Sequence, residues 1–274
     1  MAAREYLLGH SAREVQRLIL QAHLLAPITR KFFHAAGIGP GMRVLDVGSG
    51  AGDVAILASD LVGPTGEVVG ADREPAAVAA ASARATAEGR SNLTFVVGDP
   101  SSLRFERPFD AVVGRYVLMY QPEPAVTLRG LSKVLRLGGV MVFHELDWGG
   151  ARSFPTTPIY ERCCRWVIAG LQHGGADAYM GSKLYAAFRQ AGLPPPSMRS
   201  EAIIGGPSDP SRAIHDLLAT MVPSSIPPLL EHHAVANALD VEVESLPQRI
   251  ANEMVELGSL IISRSEIGAW TRQS

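Results

Sequence analysis

The chain has 274 residues, 47% of them hydrophobic and 19% charged, with a formal net charge of −2. That is enough apolar material for one large α/β domain or for a domain with a cap, and too apolar for a disordered chain. No Lys/Arg cluster offers the basic face that nucleic acid needs, and no apolar run approaches the ~18 residues that cross a bilayer, so neither nucleic acid nor membrane is expected as a partner. Cys163 and Cys164 are adjacent. A bridge between neighbours is badly strained, so both are read as reduced thiols, which fits a cytoplasmic location. Met1 to His10 carries Arg4 and Glu5 and lacks the apolar core of a secretory signal.

Ser11-Ala12-Arg13-Glu14 reads as a capping box, followed by Val15, Leu18, Ile19, Ala22 and Leu25 at helical spacing. Pro27 is expected to end or kink that helix, with a second short helix running to about Ala36. Strand and helix then alternate. Strands are predicted over Arg43–Val47, Glu67–Ala71, Leu93–Val97, Phe109–Val113 and Val140–Leu146. Helices are predicted over Asp53–Val62, Glu74–Glu88 and Pro124–Leu135, the last ended by Gly138-Gly139. This alternation implies a parallel sheet with right-handed crossovers. Further on, Ile159–Gln172 and Tyr179–Ala191 read as helices, and Met198–Ile204 and Leu260–Trp270 as strands. Between those strands, Pro207–Leu257 mixes helical pieces with prolines, and Met221–Leu230 reads as an apolar loop.

Three groups at successive strand ends carry the chemistry. The first strand runs into Val47-Gly48-Ser49-Gly50-Ala51-Gly52-Asp53. A glycine turn there lets a ligand approach the backbone closely. A dinucleotide fingerprint would place its third glycine where Asp53 stands, and a carboxylate at that helix start repels a pyrophosphate. The turn therefore suits a nucleoside without phosphates; Asp53 can also serve as an N-cap. Asp72 closes the second strand, where an acid can accept from both ribose hydroxyls. Asp99, in Val97-Gly98-Asp99-Pro100, is placed to accept from an adenine amine.

Val44-Leu45-Asp46-Val47-Gly48-Ser49-Gly50-Ala51-Gly52 resembles the S-adenosylmethionine (SAM) motif of the class I methyltransferases. The resemblance continues through Val69-Gly70-Ala71-Asp72, Gly98-Asp99, Phe109-Asp110-Ala111-Val112-Val113 and Leu135-Arg136-Leu137-Gly138-Gly139, covering roughly residues 40–146. It implies a seven-stranded Rossmann-like sheet whose last strand is antiparallel, with SAM as cofactor. Met198–Ile204 and Ile261–Trp270 become the terminal hairpin strands. Residues 1–36 form a helical cap on a domain of residues 37–274, and the insertion 207–257 forms a lid. By resemblance, Gly48, Ser49 and Gly50 pass close to the methionine part of SAM, with Asp46 supporting the turn. Asp72 holds the ribose and Arg73 packs on the adenine. Gly98, Asp99 and Pro100 surround the base, and Arg115 lines the pocket through its backbone.

The acceptor side is less sharply defined. The Asn/Asp-Pro-Pro-Tyr motif of related enzymes that methylate base or amide nitrogens is missing after the fourth strand, which weakens macromolecular acceptors. Tyr116 and Tyr120 could meet the sulfonium or the substrate. His144 and Glu145 point to opposite faces of their strand, and either could be general base or substrate anchor. Trp148, Met221 and Ile226 are candidate substrate contacts, with Val222 and Leu229 completing an apolar wall. Tyr6 and Gln21 could reach the cofactor, and His232 and His233 read as lid residues. No metal site is expected. The expected activity is methyl transfer to an O, N or C nucleophile of a small, largely apolar metabolite, in natural product biosynthesis. An enzyme using the same cofactor in a non-methylating lyase or pericyclic reaction would present the same pocket. A homodimer is left open.

Overall fold

The computed structural model describes residues 12–100, 102–208 and 245–273, with side chains from residue 21 onward. Tyr6, the capping box at Ser11 and the lid candidates Met221, Val222, Ile226, Leu229, His232 and His233 lie outside the described residues. In chain order the elements are α1 (Ala12–Ala36), β1 (Arg43–Val47), α2 (Asp53–Val62), β2 (Glu67–Asp72), α3 (Pro75–Ala87), β3 (Leu93–Val97), β4 (Phe109–Arg115), α4 (Pro124–Ser132) and β5 (Leu135–Asp147). They continue with β6 (Arg152–Phe154), α5 (Pro158–His173), α6 (Met180–Gln190), β7 (Ser197–Glu201), β8 (Ile204–Gly205), α7 (Leu246–Leu257), β9 (Leu260–Ile262) and β10 (Ser265–Arg272).

Seven strands form one sheet in the order β3-β2-β1-β4-β5-β10-β7. Strands β1 to β5 pair in parallel, and the last strand is antiparallel. Gly138 and Gln273 show that sense directly: Gly138 N–H donates to Gln273 O and Gln273 N–H to Gly139 O, at 2.9 and 2.8 Å. The sheet is built outward in both directions from β1 and β4. The crevice at their carboxyl ends is where ligands bind in open α/β sheets. Val44, Val68, Val113, Val140 and Val142 form a buried core with Ala55, Ala58 and Val62 of α2, so these strands are apolar because helices cover them. Asp110 opens β4 with a structural task. It accepts from the Arg43 N–H at 2.8 Å and Arg136 Nε at 2.6 Å. Burial opposes its charge, but these donors outweigh it and hold the carboxyl below its ordinary range.

The chain divides into two compact units. One comprises Ala26–Leu146, Met180–Ser200 and Glu266–Ser274 and holds the large sheet. The other draws on Met1–Leu25, Asp147–Tyr179 and Glu201–Ser265. The boundary thus falls within the expected 1–36 cap, and an interior stretch joins the smaller unit. Within that unit β6, β9 and β8 form an antiparallel three-stranded sheet. Thr157 Oγ1 donates to Ser259 Oγ at 2.8 Å, and Tyr160 Oη to Ile262 O at 3.1 Å. Cys163 and Cys164 are buried free thiols, and burial pushes both up to about 12.

Several local expectations are corrected. Helix α1 runs through Pro27 without ending. Pro27 has no N–H to donate to the His23 carbonyl, and the helix continues past it with Ile28, Phe32 and Phe33 buried. Helix α4 stops at Ser132, and β5 starts at Leu135 rather than Val140. Gly138-Gly139 lie inside β5, where the register shifts between Phe109↔Leu135 and Ala111↔Val140. Each terminal hairpin strand divides between the two sheets. The break follows a hydroxyl: Ser263 Oγ accepts from Ile203 N–H at 2.9 Å while the Ser263 N–H donates to Ile203 O.

Candidate active site

A pocket opens at the carboxyl ends of β1, β2, β3 and β4. It is lined by Val47, Gly48, Asp72, Arg73, Asp99, Pro100, Val117, Gln121, Thr127 and Leu131. Gly48 has φ +64°, and a Cβ there would stand 2.9 Å from a Val117 methyl, so only glycine passes so close to the wall. Asp72 fixes the turn: Oδ2 accepts from the Gly50 N–H at 2.8 Å and Oδ1 from the Glu74 N–H at 3.0 Å. Each oxygen keeps a lone pair for a further donor. Arg73 donates to Asp99. Gly52, not Asp53, is the N-cap of α2, in the left-handed conformation with no side-chain cap; Asp53 is paired with Arg84.

Beneath the turn lies an unusual pair. Asp46 is 1% exposed and Ser49 6% exposed, and neither side chain has a hydrogen-bond partner of normal geometry. Burial pushes the Asp46 carboxyl well above its ordinary value; Arg115 and the Ala55 N–H offset this only in part. Buried polar atoms of this kind need a partner. The set of groups fits a nucleoside with a cationic tail: carboxylates for ribose hydroxyls and an exocyclic amine, apolar walls for a base, and Asp46 near the glycine turn. It does not fit a pyrophosphate, since the lining cation, Arg73, is already paired with Asp99.

Behind the pocket, Glu145 is fully buried. Its Oε1 accepts the Val117 and Leu118 N–H groups at 2.9 and 2.8 Å, and Oε2 accepts Met119 N–H at 3.3 Å. Burial pushes its pKa to about 8; the three N–H groups resist this, and Glu266 adds to it. The carboxylate thus ties down the turn that carries Val117 into the pocket wall. His144, on the other face of β5, is also fully buried. Its Nε2 lies 2.9 Å from Glu266 Oε2 and its Nδ1 3.1 Å from Thr29 Oγ1. Tyr116 Oη donates to the same Glu266 oxygen at 2.6 Å, and Arg115 donates to Thr29 at 3.3 Å. Tyr116 is the one described non-glycine residue at positive φ, +57°.

A family described as a methyltransferase domain matches residues 38–192, more than half of the chain. The chain belongs to this family. Demethylmenaquinone methyltransferase of Lactococcus lactis is 34% identical over 123 residues, covering 44% of this chain and 46% of that protein. The enzyme of the same name from Staphylococcus saprophyticus is 35% identical over 124 residues, covering 45% and 50%. The chain thus spans about half the length of the curated relatives it matches. In fold it is similar to a geranyl diphosphate methyltransferase solved with SAM (TM-score 0.56, 18% identity, 98% of this chain and 94% of that one). It is also similar to the [4+2]-cyclase SpnF (TM-score 0.54, 18% identity, 90% and 81%).

The structure brings Gly48, Asp72, Arg73, Asp99 and Pro100 together around one pocket. Asp46, Ser49 and Gly50 lie in the turn beside it, though Asp72 rather than Asp46 bonds that turn. Arg73 is directed at Asp99, and Arg115 at Thr29, outside the lining. Gly98 has φ +149° and packs against Leu103. Tyr120 is 42% exposed. Trp148 is buried in the smaller unit, its ring 5.5 Å from the Arg264 guanidinium. Val117, Gln121, Thr127 and Leu131 are lining residues that sequence reasoning missed. They follow β4, where no glycine or acid motif marks them. Glu266 was missed too; the only local sign is a carboxylate within a terminal apolar strand.

Proposed function

We propose that this protein transfers the methyl group of S-adenosylmethionine to an O, N or C nucleophile of a small, largely apolar metabolite. The observation that carries this reading is the pocket itself. Asp72 and Asp99 face a glycine turn whose buried Asp46 has, among the described residues, no hydrogen-bond partner of normal geometry. When bound there, SAM supplies a methyl group on a sulfonium, electrophilic enough to need little further activation. The protein's share is placement. Asp72 and Asp99 orient the nucleoside, Asp46 offers a buried carboxyl whose ionised form a cationic tail would favour, and Glu145 holds the Val117 turn in place. Holding acceptor and methyl in line is worth ~7–11 kcal/mol at best.

A small, largely apolar acceptor fits the net charge of −2 and the apolar stretch Met221–Leu230. Among described residues no helix is long and apolar enough to cross a membrane. The demethylmenaquinone methyltransferases that match part of the chain make aromatic, quinol-like acceptors the first class to try. The deciding experiment incubates the protein with methyl-deuterated SAM and a small-molecule extract of its source, read by mass spectrometry. A labelled product identifies the acceptor. Binding of S-adenosylhomocysteine without any labelled product would favour a non-methylating use of the cofactor. Failure to bind S-adenosylhomocysteine at all would overturn the assignment of the pocket.

A further inference from the structure

The backbone around the pocket turns its donors away from it. After β4, the Val117, Leu118 and Met119 N–H groups donate to Glu145, and those of Tyr120 and Gln121 donate to the Val117 and Leu118 carbonyls at 3.2 and 3.0 Å. After β1, the Gly48 N–H donates to Ala71 O at 2.8 Å. After β3, the Gly98 N–H donates to Asp72 O at 2.8 Å, and the Ser102 and Leu103 N–H groups donate back to the Asp99 carbonyl at 2.9 and 3.0 Å. Pro100, beside Asp99 on the lining, has no N–H at all. A ligand atom that needs a donor near Asp99 must find it on a side chain.

The polar side chains of the lining are Asp72, Arg73, Asp99, Gln121 and Thr127. The two carboxylates only accept, and Arg73 donates to Asp99. Gln121 follows the turn after β4, with φ −90° and ψ 129°. Pro122 comes next, and a residue before proline is held in this extended region. The side chain is half-buried. Thr127 Oγ1, in α4, donates to Gln121 Oε1 over 3.4 Å. This long bond turns the carboxamide oxygen toward α4. Gln121 Nε2 makes no hydrogen bond among the described residues, so its N–H groups remain for a ligand.

We propose that Gln121 donates to a ring nitrogen flanking the exocyclic amine of the cofactor's adenine, and so sets the base specificity of the pocket. This rests on the reading of the pocket as the SAM site. The amine of adenine lies between two ring acceptors, N1 on one edge and N7 on the other. A carboxylate that takes the amine therefore always brings an acceptor beside it. Asp99 cannot serve that acceptor, and neither can Pro100. Gln121 can, because its oxygen is engaged by Thr127 and its nitrogen is not. Asp99 and Gln121 together then match the donor-and-acceptor pattern of adenine. A base with an oxygen in place of the amine would set that oxygen against the Asp99 carboxylate. A base with carbon in place of the ring nitrogen would leave the Gln121 N–H unpaired, which is how a hydrogen-bonding site rejects a near-isostere.

The test is calorimetric binding of S-adenosylhomocysteine and of its 1-deaza and 7-deaza analogues, each of which replaces one ring nitrogen by C–H. The wild-type protein should bind one of the two analogues about tenfold more weakly than the parent compound, and that analogue identifies the nitrogen. Gln121→Leu should weaken the parent by about threefold to tenfold and should no longer distinguish it from that analogue. Gln121→Glu keeps an oxygen for Thr127 but sets a second carboxylate beside Asp99, so it should weaken the parent further than Gln121→Leu does. Equal wild-type affinity for all three ligands would overturn the proposal without any variant. An equal deaza penalty in wild type and Gln121→Leu would also overturn it, by giving the ring nitrogen to another donor. Failure of the wild type to bind S-adenosylhomocysteine at all is a different result: it would overturn the SAM reading of the pocket, and this assignment with it.

Discussion

The two halves of the large sheet treat polar groups in opposite ways. On the β1-β2-β3 side, Asp72 and Asp99 are partly exposed, and Asp46 and Ser49 are buried with side-chain oxygens that lack a hydrogen bond of normal geometry among the described residues. On the β5-β10 side, His144 and Glu266 are 0% and 2% exposed, and their polar atoms are joined to Thr29, Tyr116 and one another. The first half carries groups whose missing partners a ligand can supply. The network around His144 and Glu266 in the second half is joined without one. Such joined networks are rigid and suited to holding geometry, whereas an incomplete one marks a place to bind.

Glu145 belongs to the second half, and its removal should give the largest effect. Glu145→Ala leaves three N–H groups of the turn without an acceptor. At ~1–3 kcal/mol for each buried unsatisfied donor, the loss should reach about 3 kcal/mol or more in denaturant unfolding. A loss under about 1 kcal/mol would mean that the turn finds other acceptors and that this half is less fixed than it looks.

Asp72→Ala should be the largest effect on binding. It removes the acceptor of the Gly50 N–H and the two oxygens offered to the ribose. A hydrogen bond to a charged group is worth ~1.5–3 kcal/mol, so calorimetry with S-adenosylhomocysteine should show affinity falling by about 10- to 150-fold. Near-wild-type affinity would move the ribose elsewhere and undo the contrast between the halves.

A subtler prediction concerns pH. Glu145 has an ordinary pKa of 4.5 when unfolded and about 8 when folded. Between those values the folded state holds a proton that the unfolded state has released, so stability falls as pH rises through the window. Glu145→Gln cannot titrate and should show a shallower fall between pH 5 and 8. Parallel stability curves would show that the three N–H donors keep the carboxylate charged.

The smallest expected effect is at Arg73, whose side chain is 64% exposed and paired with Asp99. An exposed pair contributes ~0–1 kcal/mol, so Arg73→Ala should change S-adenosylhomocysteine affinity by less than about fivefold. A larger loss would show that the guanidinium contacts the nucleoside directly, as the family resemblance implied. A gain would show that it competes for Asp99.

The binding half was legible in the sequence because its groups are local. Gly48, Asp72 and Asp99 each stand at the end of a strand that its own apolar run reveals, and parallel pairing places all three at one edge. What the pocket draws from the turn after β4 was not legible, because Val117, Gln121, Thr127 and Leu131 are ordinary residues until Glu145, 26 to 28 positions away from the N–H groups it accepts, fixes that turn. Pro27 misled for a related reason: a local rule predicts a break, while burial of Ile28, Phe32 and Phe33 carries the helix through.

The sequence by itself determined the alternation of strand and helix and the edge at which a nucleoside would bind, since periodicity and turn chemistry act over a few residues; the seven-stranded sheet was implied by the family resemblance. Only the tertiary structure decided that the smaller unit recruits Asp147–Tyr179 and that the terminal strands divide between two sheets. It alone joined His144 to Glu266, 122 positions apart, and Tyr116 to the same carboxylate across 150. Contacts at that separation depend on which strands become neighbours, and no local pattern encodes that choice.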